Sequence, residues 1–189
     1  MDEFYELEFI GRGGQGAKTA AELVAKIVLE KGKFVQSFPD YGPERKGAPV
    51  RAFTRIADSE IRGCSSEANP NVIILIDPSL LALNGALFTI KDGQIIVVNS
   101  SESSDVLTKQ FNIHANIKFY TVDATKIALD TIKNNITNTA MLGALSKVTG
   151  LYTLDEIKDE FKKEFEKKLD KEKIENNNRM MELAFNQVR

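Results

Sequence analysis

Tyr5-Glu6-Leu7-Glu8-Phe9-Ile10-Gly11-Arg12-Gly13-Gly14-Gln15-Gly16-Ala17-Lys18-Thr19 is the stretch on which the reading of this chain turns. Its first six residues alternate in polarity, as a half-buried strand does, and a glycine-rich turn follows. Past the turn Ala17, Ala20, Ala21, Val24, Ile27 and Val28 share one helical face, while Lys18, Glu22, Lys26 and Glu30 fall on the other. Strand, glycine turn and helix in that order suit an anion. Glycine reaches positive φ and lets a ligand approach the backbone, and the helix start presents unpaired N–H groups. Gly11, Arg12, Gly13, Gly14, Gln15 and Gly16 are therefore candidate binding residues for a phosphate or carboxylate. The plain alternative is a turn that only lets strand and helix pack closely.

Two motifs are tested against this loop. A phosphate loop of the Walker type needs Gly-Lys-Thr without interruption, but Ala17 separates Gly16 from Lys18-Thr19. Gly11, Gly13 and Gly16 meet the dinucleotide spacing, yet the position where an acidic residue should grip a ribose reads Gln36-Ser37. Neither a Walker loop nor NAD is supported.

With 189 residues, 25 basic and 27 acidic, the chain is long enough to bury a proper core. We expect 1–189 to be one domain, with 150–189 a helical tail packed on it. A net charge of −2 makes no global case for nucleic acid or acidic lipid as partner. Cys64 is the sole cysteine, so neither an intrachain disulfide nor a cysteine-ligated iron–sulfur cluster is housed by this chain alone. His114, the sole histidine, has no second histidine or cysteine to complete a metal site and reads as structural. The acidic start enters a strand at once and no run is long enough to span a membrane, so we expect a soluble, unexported, cytoplasmic chain.

Further along, Lys33-Phe34-Val35-Gln36-Ser37-Phe38 reads as a second strand, expected to lie parallel beside the first. Residues 39–49 hold three prolines and two glycines and read as a stiffened loop carrying Glu44, Arg45 and Lys46. Leaving the same sheet edge as the glycine turn, this loop would bring Arg45 as a fork and Lys46 as a point charge to the same anion. A solvated loop, or a surface for another subunit, is the alternative. Residues 50–56 with 60–62 read as an antiparallel hairpin whose Arg51, Phe53 and Arg55 face is a solvated edge by default, with a subunit contact as the alternative. No base is near Cys64 in sequence, which speaks against a catalytic thiol.

Asn71-Val72-Ile73-Ile74-Leu75-Ile76-Asp77, between Pro70 and Pro78, has the continuous apolar run of a strand buried on both faces. Asp77 is expected to cap a short helix over 79–83, with a ligand hydrogen bond as the other role. Strands at 94–99 and 117–122, helices at 124–132 and from Asn138, a capping box at Thr153-Leu154-Asp155-Glu156 and a last helix over 175–188 complete the series. The fold class is α/β: a Rossmann-like layered fold with a mainly parallel sheet, an added antiparallel hairpin and C-terminal helices.

These residues together resemble the gamma subunit of the 2-oxoacid:ferredoxin oxidoreductases, most closely the pyruvate synthase (pyruvate:ferredoxin oxidoreductase) type. The resemblance is carried by Gly11-Arg12-Gly13-Gly14-Gln15-Gly16-Ala17, Tyr41-Gly42-Pro43-Glu44-Arg45, Gly47-Ala48-Pro49-Val50, Ala52-Phe53-Thr54-Arg55-Ile56 and Asn138-Thr139 with Met141-Leu142-Gly143-Ala144. Such families oxidatively decarboxylate a 2-oxoacid with coenzyme A and pass electrons to ferredoxin. The resemblance implies alpha, beta and delta partner subunits, with thiamine diphosphate, its magnesium ion and the iron–sulfur clusters on those partners. It implies no catalytic residue and no cofactor bound by this chain alone, but coenzyme A as a shared ligand at Gly11, Arg12, Gly13, Gly14, Gln15, Gly16, Glu44, Arg45 and Lys46. Lys46 departs from the family's usual second arginine and lacks its bidentate fork. A purely structural subunit of a related 2-oxoacid oxidoreductase and a stand-alone nucleotide-binding module are the competing readings.

Overall fold

The central strand β1 (Tyr5–Arg12) lies between β3 (Pro49–Ala57) and β4 (Val72–Leu75). Outside β3 lies β2 (Phe34–Asp40), and beyond β4 come β5 (Ile95–Asn99) and β6 (Lys118–Val122). Strands β1, β4, β5 and β6 are parallel, while β3 runs antiparallel to both β1 and β2. This computed structural model describes residues 4–40, 47–62, 68–113 and 116–189. Glu44, Arg45, Lys46, Cys64 and His114 therefore lie outside the described residues.

The α/β reading with a mainly parallel sheet and an antiparallel addition holds, but the wing is arranged differently from the expectation. Strand β2 is not beside β1, because β3 inserts between them. The hairpin partner of β3 is β2 and not 60–62, which forms no strand. Pro39 concealed this, since a proline argues against a central strand yet is tolerated on the edge strand that β2 is. Because β3 opposes both neighbours, β1 and β2 still point the same way, and their carboxyl ends lie at the same edge of the sheet.

Helices α1 (Ala17–Glu30), α3 (Ala124–Ile132), α4 (Asn138–Thr149), α5 (Leu154–Phe165) and α6 (Lys171–Gln187) cover one face. They bury Leu7, Phe9, Val72, Ile74, Val97 and Val122 from the strands. The α1 face read from the sequence is buried throughout. Alternation sends Ile10, Ile73, Leu75, Ile96 and Val98 to the opposite face, against a 3₁₀ turn (Pro78–Leu83) and α2 (Ser104–Gln110). The sequence reading had no α2; it is one short helix capped by Ser103, whose hydroxyl accepts from Val106 N.

Nearly every residue of α4 from Asn138 to Ser146 is buried, as its small apolar composition requires. A Cβ added at Gly143 would overlap the main chain of Met181, so α4 and α6 meet backbone to backbone. Thr153 and Glu156 form the capping box that starts α5, and Ile157 and Phe161 supply its buried stripe. Past α6, Arg189 exchanges two backbone hydrogen bonds with Thr121 on the outer margin of β6, at 2.8 and 3.1 Å. Among the described residues no helix is long and apolar enough to cross a membrane.

Candidate functional site

Helix α1 lies on one face of the sheet, whereas the segments that follow β4 and β5 lie on the other. The connections thus change sides between β1 and β4, and in an open α/β sheet the crevice at the carboxyl ends of those two strands is where ligands bind. The glycine turn leaves β1 and Asp77 closes the segment after β4, so both stand at that crevice.

Side chains cross-brace the turn. Gln15 Oε1 accepts from Arg12 N at 2.6 Å, and Gln15 Nε2 donates to Asp77 Oδ2 at 3.0 Å. Arg12 donates through all three guanidinium nitrogens: Nε to Asp77 Oδ2 at 3.1 Å, Nη1 to Gly47 O at 3.1 Å and Nη2 to Ser79 Oγ at 2.8 Å. The other Asp77 oxygen accepts from Ser79 N and Oγ, at 3.0 and 2.6 Å. Asp77 caps the 3₁₀ turn as expected, and its second oxygen also grips the glycine turn through Arg12 and Gln15. Burial works to raise the Asp77 carboxyl, but the hydrogen bonds from Ser79 and Gln15 and the Arg12 charge leave it below the usual range.

The second loop meets the first at its flank. Gly13 N donates to Ala48 O at 2.9 Å, and Arg12 pairs with Pro49 in the β1–β3 ladder. Residues 47–49 therefore touch the glycine turn.

Gly14 and Gly16 hold φ near 95° and 80°, in the left-handed region that glycine alone enters cheaply. Gly16 starts α1 without any side-chain cap, and α1 has no acidic residue in its first turn. Among the described residues no protein acceptor meets the N–H groups of Gly14, Gly16, Ala17, Lys18 or Thr19. These amides border a surface cavity of about 340 Å³ lined by Arg12, Gly13, Gly14, Lys18, Thr19 and Val50 among others. Bare amides on an uncapped 14-residue helix suit an anion.

The turn residues thus divide. Gly11, Arg12 and Gln15 hold its shape, while Gly13, Gly14 and Gly16 form the open wall. Three residues were missed as site components. Lys18, read as solvent-facing, is half exposed but also lines the cavity. Ser79 anchors Arg12. Asn138 donates Nδ2 to Gly16 O at 3.4 Å, and a Cβ at Gly16 would overlap its amide. Only the opening Asn138-Thr139 of a small-residue helix hinted at the last.

Fold and turn together define an α/β protein with an uncapped glycine turn at the switch point of its sheet. The chain belongs to the pyruvate ferredoxin/flavodoxin oxidoreductase family, whose model matches residues 6–187. It is 43% identical over 187 residues to the pyruvate synthase subunit PorC of Thermotoga maritima, covering 99% of this chain and 96% of that one. Against the pyruvate/ketoisovalerate oxidoreductases common subunit gamma of Thermococcus kodakarensis it is 45% identical over 154 residues, 82% of this chain and 83% of the relative. The crystal structure of the Thermotoga maritima pyruvate oxidoreductase subunit PORC superposes with a TM-score of 0.84 at 38% identity, covering 99% of this chain and 98% of that one.

Proposed function

We propose that this chain is the gamma-type subunit of a pyruvate:ferredoxin oxidoreductase and that its glycine turn helps hold coenzyme A during oxidative decarboxylation of pyruvate. The family match over 6–187 and the relatives' names support the subunit reading. The observation that carries the coenzyme A role is the set of unpaired amides at Gly14, Gly16, Ala17, Lys18 and Thr19 beside a cavity that Lys18 also lines. Coenzyme A brings a pyrophosphate and a 3′-phosphate, and amides with a fixed lysine charge suit both.

In this reading Arg12 does not grip the phosphate directly. Asp77, Ser79 and Gly47 O hold its guanidinium, and it keeps the turn open at the right width. Arg45 and Lys46 complete the site from the neighbouring loop. Thiamine diphosphate and the iron–sulfur clusters sit on alpha-, beta- and delta-type partners, which also choose the 2-oxoacid and hand electrons to ferredoxin. A relative named as common to pyruvate and ketoisovalerate enzymes fits a subunit that does not select the oxoacid. The whole works in the cytoplasm.

The test is the assembled complex, assayed by viologen reduction with pyruvate over a range of coenzyme A concentrations. Lys18→Glu places a negative charge at the cavity without disturbing a buried residue. It should raise KM for coenzyme A roughly tenfold, about 1.4 kcal/mol, and leave kcat near its original value. An unchanged KM sinks the coenzyme A role and leaves only the subunit role.

A further inference from the structure

We propose that Asn138 is a positioning residue for the glycine turn: from the start of α4 it clamps the Gly16–Ala17 peptide so that the Ala17 N–H faces the anion. This rests on the phosphate reading of that turn. Asn138 is the first residue of α4 and only 9% exposed, and its Nδ2 donates to Gly16 O at 3.4 Å across 122 positions of sequence. Gly16 O also accepts from Ala20 N at 2.9 Å, at the start of α1. Two donors thus hold that carbonyl, and in a planar trans peptide the N–H points opposite to the C=O. The Ala17 N–H is thereby turned outward, to the cavity that Gly16 and Ala17 line.

Packing alone does not account for a carboxamide at this place. Asn138 Oδ1 is buried with no hydrogen-bond partner among the described residues, a cost that a leucine of the same branching would avoid. What the carboxamide supplies and leucine lacks is the donor to Gly16 O. The support behind that donor is firm: α4 is buried from Asn138 to Ser146, and its Gly143 lies against the Met181 main chain of α6. The fit at the turn is equally close, since a Cβ at Gly16 would overlap Asn138 Nδ2. Asn138 thus acts on the anion through the peptide it holds. A phosphate oxygen that accepts from Ala17 N–H polarises this peptide and makes Gly16 O a stronger acceptor. The 3.4 Å contact therefore tightens when the anion binds.

Two measurements test the clamp. The nitrogen-15-labelled full chain is titrated with pyrophosphate, and the Ala17 amide and the Asn138 side-chain NH₂ should shift together along one saturation curve. An Ala17 signal that moves while the Asn138 NH₂ stays still overturns the clamp and leaves the phosphate reading standing; if neither moves, both fall. In the assembled complex, assayed by viologen reduction, Asn138→Leu should raise KM for coenzyme A about fivefold with kcat near the parent value. The Tm of the Asn138→Leu chain should equal or exceed that of the parent, because the unpaired Oδ1 is gone. A lower Tm assigns Asn138 to packing and overturns the clamp. So does an unchanged KM, and if Lys18→Glu still raises KM the phosphate reading survives that failure.

Discussion

On the side of β4, β5 and β6, the strand residues that face each layer are almost all apolar, and helices or the 3₁₀ turn close over them. On the side of β1, β3 and β2, one face is charged and aromatic. There Glu6 pairs with Arg55 and Glu8 with Arg51, all but Arg51 under 3% exposed. Phe38 stacks on Phe53 with centroids 5.3 Å apart, and the two guanidinium groups lie 4.9 Å from these rings. The first half gains its stability from transfer out of water, roughly 1.5–3 kcal/mol per fully buried Val or Ile. The second half gains little net energy from its ion pairs, because burying charges costs about what their attraction returns, but losing one member of the fully buried Glu6–Arg55 pair leaves the other uncompensated. The glycine turn stands on the seam between these two constructions.

The contrast breaks most sharply at Arg55. Arg55→Met should cost about 3–5 kcal/mol by leaving Glu6 charged and buried, and adding Glu6→Leu should restore most of the loss. Urea midpoints of the two variants decide it, and a single variant as stable as the parent would mean that the wing behaves like the apolar half. In the helical layer, Gly143→Ala should cost about 2 kcal/mol despite alanine's better helix propensity, since the new methyl meets the Met181 main chain. A gain in Tm would show that α4 and α6 can part without penalty.

At the seam, Asp77→Ala should cost about 1–2 kcal/mol through the lost cap and the released Arg12 and Gln15. Asp77 also titrates below its ordinary range, so its contribution is present at neutral pH and is lost as pH falls through the lowered value. The stability gap between parent and variant should therefore close in acid, and a gap that widens there contradicts the brace.

The smallest effect belongs to Glu8. Desolvation raises its carboxyl above the ordinary range, against the opposing hydrogen bond and charge of Arg51. A carboxyl raised by folding helps below its unfolded value and loses that help as pH climbs through the folded one. Relative to the parent, Glu8→Gln should thus gain stability as pH rises through that window, read from urea midpoints at successive pH values. A slope of the opposite sign refutes the assignment.

What the sequence disclosed follows the same division. The run at 71–77 announced β4 by composition, and the α1 stripe and the Thr153 capping box were equally explicit. These are local signals, set by residues a few positions apart. The wing depends instead on which strand lies beside which, and nothing in Val50-Arg51-Ala52-Phe53-Thr54-Arg55-Ile56 states that β3 is flanked on both sides and so hides its arginines. Arg55 and Arg51 were accordingly read as solvated. Gly14 and Gly16 were legible as site residues from glycine spacing, whereas the Arg12–Asp77–Ser79 brace spans 65 to 67 positions and rests on β1 lying next to β4.

The clasp between Arg189 and Thr121 bears on how such a subunit joins others. It occupies main-chain groups along the last strand, while at the far margin Pro39 removes a donor and Asp40 and Lys33 set charges at either end of β2. Both borders are thus unwelcoming to a foreign β-ribbon. Extension of the six-stranded layer by strand addition is disfavoured at either margin, by main-chain pairing at Thr121 and by proline and charge along β2.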